Sequence, residues 1–293
     1  EEELSEALEK LPLPVVVKAV DLMGSRGIFR CDTKEEVFTH YADTMNATGK
    51  DYCLLEEFIE GTMLGCEAML SKGKLLYCLP NNIENYPAHV PTPIGHSVPY
   101  KKQDTLGEEV QKQVLLAIQA LGMDNCPVNC DLMEKDGKIY VIEITGRAGG
   151  NCLPEMVGIY YGIDYYEAIV RLAMDMQAEE LFQDQKNRFQ NAAQRKCGER
   201  PENTDGNLNR VTPNLSHILT SDRDGILKAI HNDNEASPDL LDLSFNVEPG
   251  EEIRHYENGR DRLGQVIICG ETLDACEQRL NEVLSKLNIE FIS

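Results

Sequence analysis

The chain has 293 residues, 42% of them hydrophobic, and a formal net charge of -22, the profile of a soluble globular protein long enough for two domains or for one large domain with a lobe. The acidic surplus excludes a general nucleic-acid binder, which needs cations to neutralise phosphates. It leaves room for a nucleotide site, because a few local cations override distant charge that salt screens over ~8 Å. No apolar run approaches the ~18 residues that span a bilayer, so no membrane association is expected. The acidic start EEELSEALEK lacks the basic and then apolar order of a signal peptide. With no initiator Met, the chain reads as an excised or processed piece. The ten cysteines are scattered, mostly inside apolar stretches such as VIICG, where Cys packs as a small hydrophobe. Cys126 and Cys130 have no second pair or His cluster to complete a zinc site. Reduced thiols in a cytoplasmic protein are the expectation.

Along the chain, PVVVKAV reads as a buried strand ending near Lys18, followed by the Gly-containing loop DLMGSRGI. Thr33 and Glu36 make a capping-box pattern before a helix with Val37, Tyr41 and Met45 on one face. DYCLLEEFI reads as a strand, and the segment from Cys66 to Leu79 as a hairpin around SKGK. Five prolines and little periodicity over residues 80–103 suggest a loop-rich crossover. Thr105 and Glu108 are expected to cap a long helix with Leu106, Val110, Val114, Ile118 and Leu121 inward and Gly122 at its end. PVNCDLM and KIYVIEI form two strands joined through KDGK, and Asp164 with Glu167 opens a further helix running through Ile169 and Leu172. Residues 178–209 are polar and read as a linker or mobile loop. The remainder reads as an α+β tail, with a strand at QVIICG and a helix from Thr272 placing Leu273, Cys276, Leu280, Val283 and Leu287 inward. No internal repeat is visible. The expected domains are a small lobe over 1–90, a core over 91–178, the linker over 179–209 and a C-terminal α+β subdomain over 210–293.

Three constellations carry chemistry. Lys18, at a strand end, precedes a loop whose Gly24 and Gly27 permit close backbone approach to polyphosphate oxygens and whose Ser25 offers a hydroxyl. In LLEEFIEG, Glu56 supplies an acceptor suited to an adenine amino group, and the backbone from Glu57 to Ile59 an edge for its ring nitrogens. The third is the most specific: Asp131 and Glu143 lie twelve residues apart on the arms of one hairpin. That even spacing puts both carboxylates on one sheet face only if the loop has an odd residue count or a strand carries a bulge. A three-residue loop over Asp136, Gly137 and Lys138 satisfies it. Two such carboxylates suit Mg²⁺, which takes a few hard oxygens plus phosphates. An outward-pointing surface hairpin is disfavoured because Glu143 interrupts a very apolar strand. Thr145 and Arg147 follow in ITGRAGGN, where a guanidinium suits a phosphate or acyl-phosphate oxygen.

Taken in order, these elements resemble the ATP-grasp superfamily, and in particular its branch of bacterial L-amino-acid (dipeptide) ligases. HSVPYKKQD, GRAGGNCLPEMVGIYYGIDYYEAIVRLA and NGRDRLGQVIICGETLDACEQRL are similar to segments of that branch, over about residues 13–177 and more loosely 205–293. The resemblance implies an α+β ATP-grasp fold, two lobes sandwiching ATP with a C-terminal α+β subdomain. By it, Lys18 contacts phosphates, residues 25–27 form the flexible loop above them, and Glu56, Glu57 and Ile59 take the adenine. Asp131 and Glu143 hold Mg²⁺ or Mn²⁺, with Thr145 where relatives often have a ligating Asn, and Arg147 steadies the acyl phosphate. A ribose-contacting Glu of relatives falls near Met63. Relatives also carry a domain before the lysine strand, and nothing before residue 11 can be that domain, so a truncated form or one that has lost it is expected. The implied reaction joins a small-molecule carboxylate to an amine, amino acids or small peptides. Other ATP-grasp chemistry (a carboxylase or a nucleotide-biosynthesis ligase) and a non-catalytic nucleotide-binding fragment stand as alternatives. His96 reads as structural more readily than as a substrate contact, and no sequence feature specifies a homodimer.

Overall fold

The structure, a computed structural model, describes residues 2–22, 26–87, 92–182 and 211–292. Its backbone divides into two units. One comprises Glu1–Glu60, Asn85–Pro93 and Tyr256–Asp261, the other Gly61–Glu84, Ile94–His255 and Arg262–Ser293.

In the first unit, strands β1 (Val15–Lys18), β2 (Ile28–Cys31) and β3 (Leu54–Glu57) make an antiparallel sheet in the order β2-β1-β3. Alternation along β1 sends Val15 and Val17 into a core with Leu4 and Leu8 of helix α1 (Glu2–Lys10) and Val37 of α2 (Lys34–Ala47). Lys18 therefore lies on the opposite face. The capping box at Thr33 and Glu36 forms as the sequence indicates. Met45 is only half-buried, and Thr44 takes the inner position instead.

The second unit is built on an eight-stranded sheet in the order β11-β13-β9-β6-β5-β4-β7-β8. Its strands are β4 (Thr62–Ser71), β5 (Lys74–Tyr86), β6 (Thr92–Val98), β7 (Pro127–Lys135), β8 (Lys138–Thr145), β9 (Asn214–Leu219), β11 (Leu240–Phe245) and β13 (Gly264–Cys269). The loop-rich crossover expected over 80–103 is a correction: β5 continues through Pro80 to Tyr86, and β6 follows. Pro80 sits opposite Cys66 on β4, so proline content misread a strand as a loop.

β4 is central and buried on both faces, as a near-continuous apolar run permits. On one face Leu64, Cys66, Ala68 and Leu70 meet Val110, Val114 and Ile118 of α3 (Gln103–Leu121). On the other, Met69 packs with Tyr77, Leu79 and residues of α4 (Leu153–Tyr161) and α5 (Tyr165–Ala173). Lys102 rather than Thr105 precedes α3, without a side-chain cap; Thr105 Oγ1 donates back to the Lys102 carbonyl at 3.2 Å. Leu121, expected inward, is 60% exposed. Gly122 ends the helix in the left-handed region, φ 66°, and Asp164 caps α5 through the Glu167 N–H. A third core joins β9 and β13 to α6 (Leu273–Ser285) and to a small sheet of β10 (Gly225–Asn232), β12 (Glu252–Ile253) and β14 (Leu287–Phe291). Leu287 packs there from β14 rather than from the helix. Of the polar stretch read as a linker, Ala178 is buried, Glu179–Phe182 form a short 3-10 turn, and its residues from 183 on lie outside the described residues. Among the described residues no helix is long and apolar enough to cross a membrane.

Candidate functional site

The hairpin of β7 and β8 brings Asp131 and Glu143 directly opposite each other. The means differ from the three-residue loop expected. Lys135 pairs with Lys138, so the turn is the two residues Asp136 and Gly137, both at positive φ (53° and 78°), as a tight hairpin of Asp-Gly type demands. The parity is restored further in, where pairing shifts between Asp131 with Glu143 and Leu132 with Val141. Ile142 is the extra residue of a β-bulge. Val141 therefore shares the α3 face with Leu132, while Glu143 turns to the face of Asp131.

The two carboxylates differ in environment. Asp131 is half-buried, and burial together with the neighbouring Glu143 charge pushes it up to about 6, against the opposing pull of Arg147. Glu143 is exposed. The expectation that an acid within IYVIEI must be buried is thus corrected, because the bulge turns it out of the apolar face. Thr145 is half-buried, with Oγ1 3.4 Å from the Asn129 carbonyl it donates to. Among the described residues no three His, Cys, Asp or Glu side chains cluster to form a cage. A pair of like-charged hard oxygens beside a hydroxyl fits Mg²⁺, which keeps several positions for water and phosphate.

Behind this pair lies a group the sequence reading passed over. Glu67 of β4 faces Asn129 of β7, two residues along from Gly65, which faces Asp131. Its side chain is fully buried. Asn129 Nδ2 donates to Oε1 at 2.7 Å, and the Gly149 N–H donates to Oε2 at 3.2 Å. Burial pushes Glu67 up to about 8 despite those two bonds and the nearby Arg147 charge. Arg147 itself is exposed and donates to the Ala148 carbonyl at 2.7 Å. The available signal was a lone acid in the apolar run TMLGCEAML, the same signal that drew attention to Glu143.

In the first unit, Lys18 forms an ion pair with Glu56. Val16 stands opposite Glu56 and Lys18 opposite Leu54, so both charges share the sheet face away from the helices. Glu57 is exposed and Ile59 half-buried. Gly27, at φ 66°, accepts a hydrogen bond from the Ala19 N–H at 2.8 Å, closing the loop after β1. Gly24 and Ser25 lie outside the described residues. Met63 is half-buried on β4 opposite Met133. His96 is buried on β6, with Nδ1 2.9 Å from Asn81 Oδ1, and burial lowers it to about 4, leaving the ring neutral.

Residues 11–155 match the ATP-grasp domain family, and residues 217–291 match L-amino acid ligase C-terminal domain 2. The chain is similar over its whole length to the phosphoribosylglycinamide synthetase of Anaerococcus prevotii, at 37% identity and TM-score 0.72, covering 68% of that chain. This chain belongs to the ATP-grasp family. The same fold recurs in the L-amino acid ligase of Bacillus licheniformis, at 20% identity and TM-score 0.76 over 98% of this chain and 66% of that one. It recurs again in the biotin carboxylase domain of a Hydrogenobacter thermophilus 2-oxoglutarate carboxylase solved with MgADP and bicarbonate, at 17% identity and TM-score 0.68, over 100% of this chain and 61% of that one. The ATP-grasp chain described here thus spans about two thirds of the length of these solved proteins, and its α+β fold is theirs. Within the family it stands with the ATP-grasp carboxylate–amine ligases.

Proposed function

We propose that this chain is the nucleotide-binding part of an enzyme that spends ATP to join a small carboxylate, such as an amino acid, to an amine. The observation that carries the reading is Asp131 facing Glu143 across the β7–β8 hairpin, with Arg147 following four residues after Glu143, on a chain of ATP-grasp family.

In the first step a substrate carboxylate oxygen attacks the γ-phosphorus, the bond to the bridging oxygen breaks, and ADP leaves with that electron pair. In the second, the amine nitrogen attacks the acyl carbon, the carbon–oxygen bond to phosphate breaks, and the nitrogen loses a proton. Asp131 and Glu143, with Thr145 beside them, would hold Mg²⁺, which would supply neutralisation of phosphate charge. Lys18 contributes a cation for the phosphates, and residues 24–27 their backbone. Glu56, Glu57 and Ile59 serve the adenine. Arg147 orients the transferred phosphoryl and acyl-phosphate oxygens, so the protein's contribution is positioning and charge neutralisation.

Calorimetric titration with Mg·ADP tests the site. Saturable binding is expected, weaker in Lys18→Ala and in the Asp131→Ala/Glu143→Ala pair, and ATP-dependent phosphate release with amino-acid pairs then identifies substrates. Parental affinity in all variants sinks the assignment. A second reading, synthesis of a phosphoribosylglycinamide-type product, is favoured by the 37% identity to that synthetase. Phosphate release with glycine and a phosphoribosyl amine, and none with amino-acid pairs, would select it.

A further inference from the structure

Glu67 occupies a costly position, since an ionisable group with no exposure costs several kcal/mol unless its oxygens are used. Both are used inward, one by the Asn129 side chain and one by the Gly149 main chain. With no exposed surface, Glu67 has no direct contact to offer a substrate. Its two partners are the informative part. Asn129 sits on β7 two residues before Asp131, and its carbonyl receives the Thr145 hydroxyl. Gly149 lies two residues after Arg147, in the segment between β8 and α4. A Cβ at Gly149 would stand 2.6 Å from Glu67 Oε1 and 2.5 Å from Leu153 Cδ1, so glycine there is what lets the backbone reach the carboxylate. β4, β7 and the segment that carries Arg147 are tied at one point.

We infer that Glu67 is a positioning residue, fixing the 146–150 loop through Gly149 and the hairpin base through Asn129, so that Arg147 stands at a set distance from the Asp131–Glu143 pair. The tie needs two hydrogen-bonding atoms of this shape rather than a negative charge. A glutamine at 67 keeps both bonds: its oxygen accepts from the Gly149 N–H, and its amide donates to Asn129 once that side chain turns over its own amide. Alanine keeps neither.

The test compares Glu67→Ala and Glu67→Gln in the full-length protein by three readouts: hydrogen exchange of the 146–152 peptide, Mg·ADP affinity by calorimetry, and kcat against KM for ATP-dependent phosphate release. In Glu67→Ala, exchange at the Gly149 amide should rise about tenfold or more. Nucleotide affinity and the KM for ATP should stay within about threefold, and kcat should fall about 10²-fold, the loss that a misplacement near 1 Å produces. Glu67→Gln should stay within about threefold of the parent throughout. The kcat arm rests on the ligase reading and the exchange arm does not. If the parent turns over no substrate, that reading fails while exchange still decides the positioning role. Unchanged exchange in Glu67→Ala overturns the inference. So does a Glu67→Gln protein with parental exchange but the kcat of the alanine variant, because the carboxylate would then act in the chemistry itself. Should Glu67→Ala not fold, Asn129→Ala removes one of the two ties, and parental exchange and kcat in that variant overturn the inference equally.

Discussion

Replacing Gly149 by alanine places a methyl carbon 2.5 Å from Leu153 Cδ1, 2.6 Å from Glu67 Oε1 and 3.0 Å from Asn129 Nδ2. Real carbon contacts do not come so close, so something must yield. Leu153 is 3% exposed within the α4 core and Glu67 is fully enclosed, which leaves the 146–150 loop to move. Overpacking of this kind costs ~1–3 kcal/mol. The same displacement carries Arg147 off its place, and a shift of ~1 Å costs ~10²-fold in rate. The neighbouring Gly150 is the internal control, because a Cβ there meets nothing within 4 Å. Gly150→Ala should therefore change stability by no more than ~0.5 kcal/mol. Urea unfolding of both variants, with ATP-dependent phosphate release, measures the contrast. Two adjacent glycines that respond alike, with Gly149→Ala at parental stability and turnover, would refute the steric reasoning.

Arg147→Ala should lower turnover by on the order of 10²-fold while Mg·ADP affinity, measured by calorimetry, stays within a few-fold; unchanged turnover removes Arg147 from the site. Asp131→Asn should weaken Mg·ADP binding but leave metal-free ADP binding unaltered, and equal losses in the two titrations would contradict a metal role. Glu67 makes stability depend on pH. It is raised to about 8 from an ordinary 4.5, so between those values the folded chain holds a proton that the unfolded chain has released. The favourable balance is complete below about pH 4.5 and is lost as pH climbs through 8, at up to ~1.4 kcal/mol per unit. Glu67→Gln should lack this slope in metal-free urea unfolding between pH 5.5 and 8; parallel slopes count against it. Thr33→Ala removes the cap of α2 and should cost ~1 kcal/mol in the same assay.

Local grammar made much of the fold readable. The capping box at Thr33, the Gly122 stop and the β7–β8 hairpin are each decided by a few adjacent residues, and each is present. Where tertiary packing decided, the reading failed. Residues 80–103 looked like a loop because prolines dominate them, yet β5 and β6 lie between neighbours that hold them extended regardless. Thr105 and Glu108 fit a cap in sequence, but the chain enters α3 earlier, at Lys102. In the site, the facing of Asp131 and Glu143 was legible as a parity problem, whereas its solution, a bulge at Ile142, was not, because either remedy satisfies the same count. The rule that an acid in an apolar strand is buried for a purpose pointed at Glu143, which is exposed, when the residue that obeys it is Glu67. Glu143 lies on β8, the last strand of the sheet, and Glu67 on β4, which is paired on both sides, a difference visible only in three dimensions.

The bulge also uncouples the tip of this hairpin from its business end. The facing of Glu143 is set at Ile142, and the Asp136–Gly137 turn lies about five residues further out, roughly 16 Å along the strand. A Cβ at Gly137 would touch nothing. An epitope or short dye-binding peptide spliced into that turn should therefore disturb the 3.0 Å bond from the Gly137 N–H to Glu134 Oε1 while the carboxylate pair keeps its register.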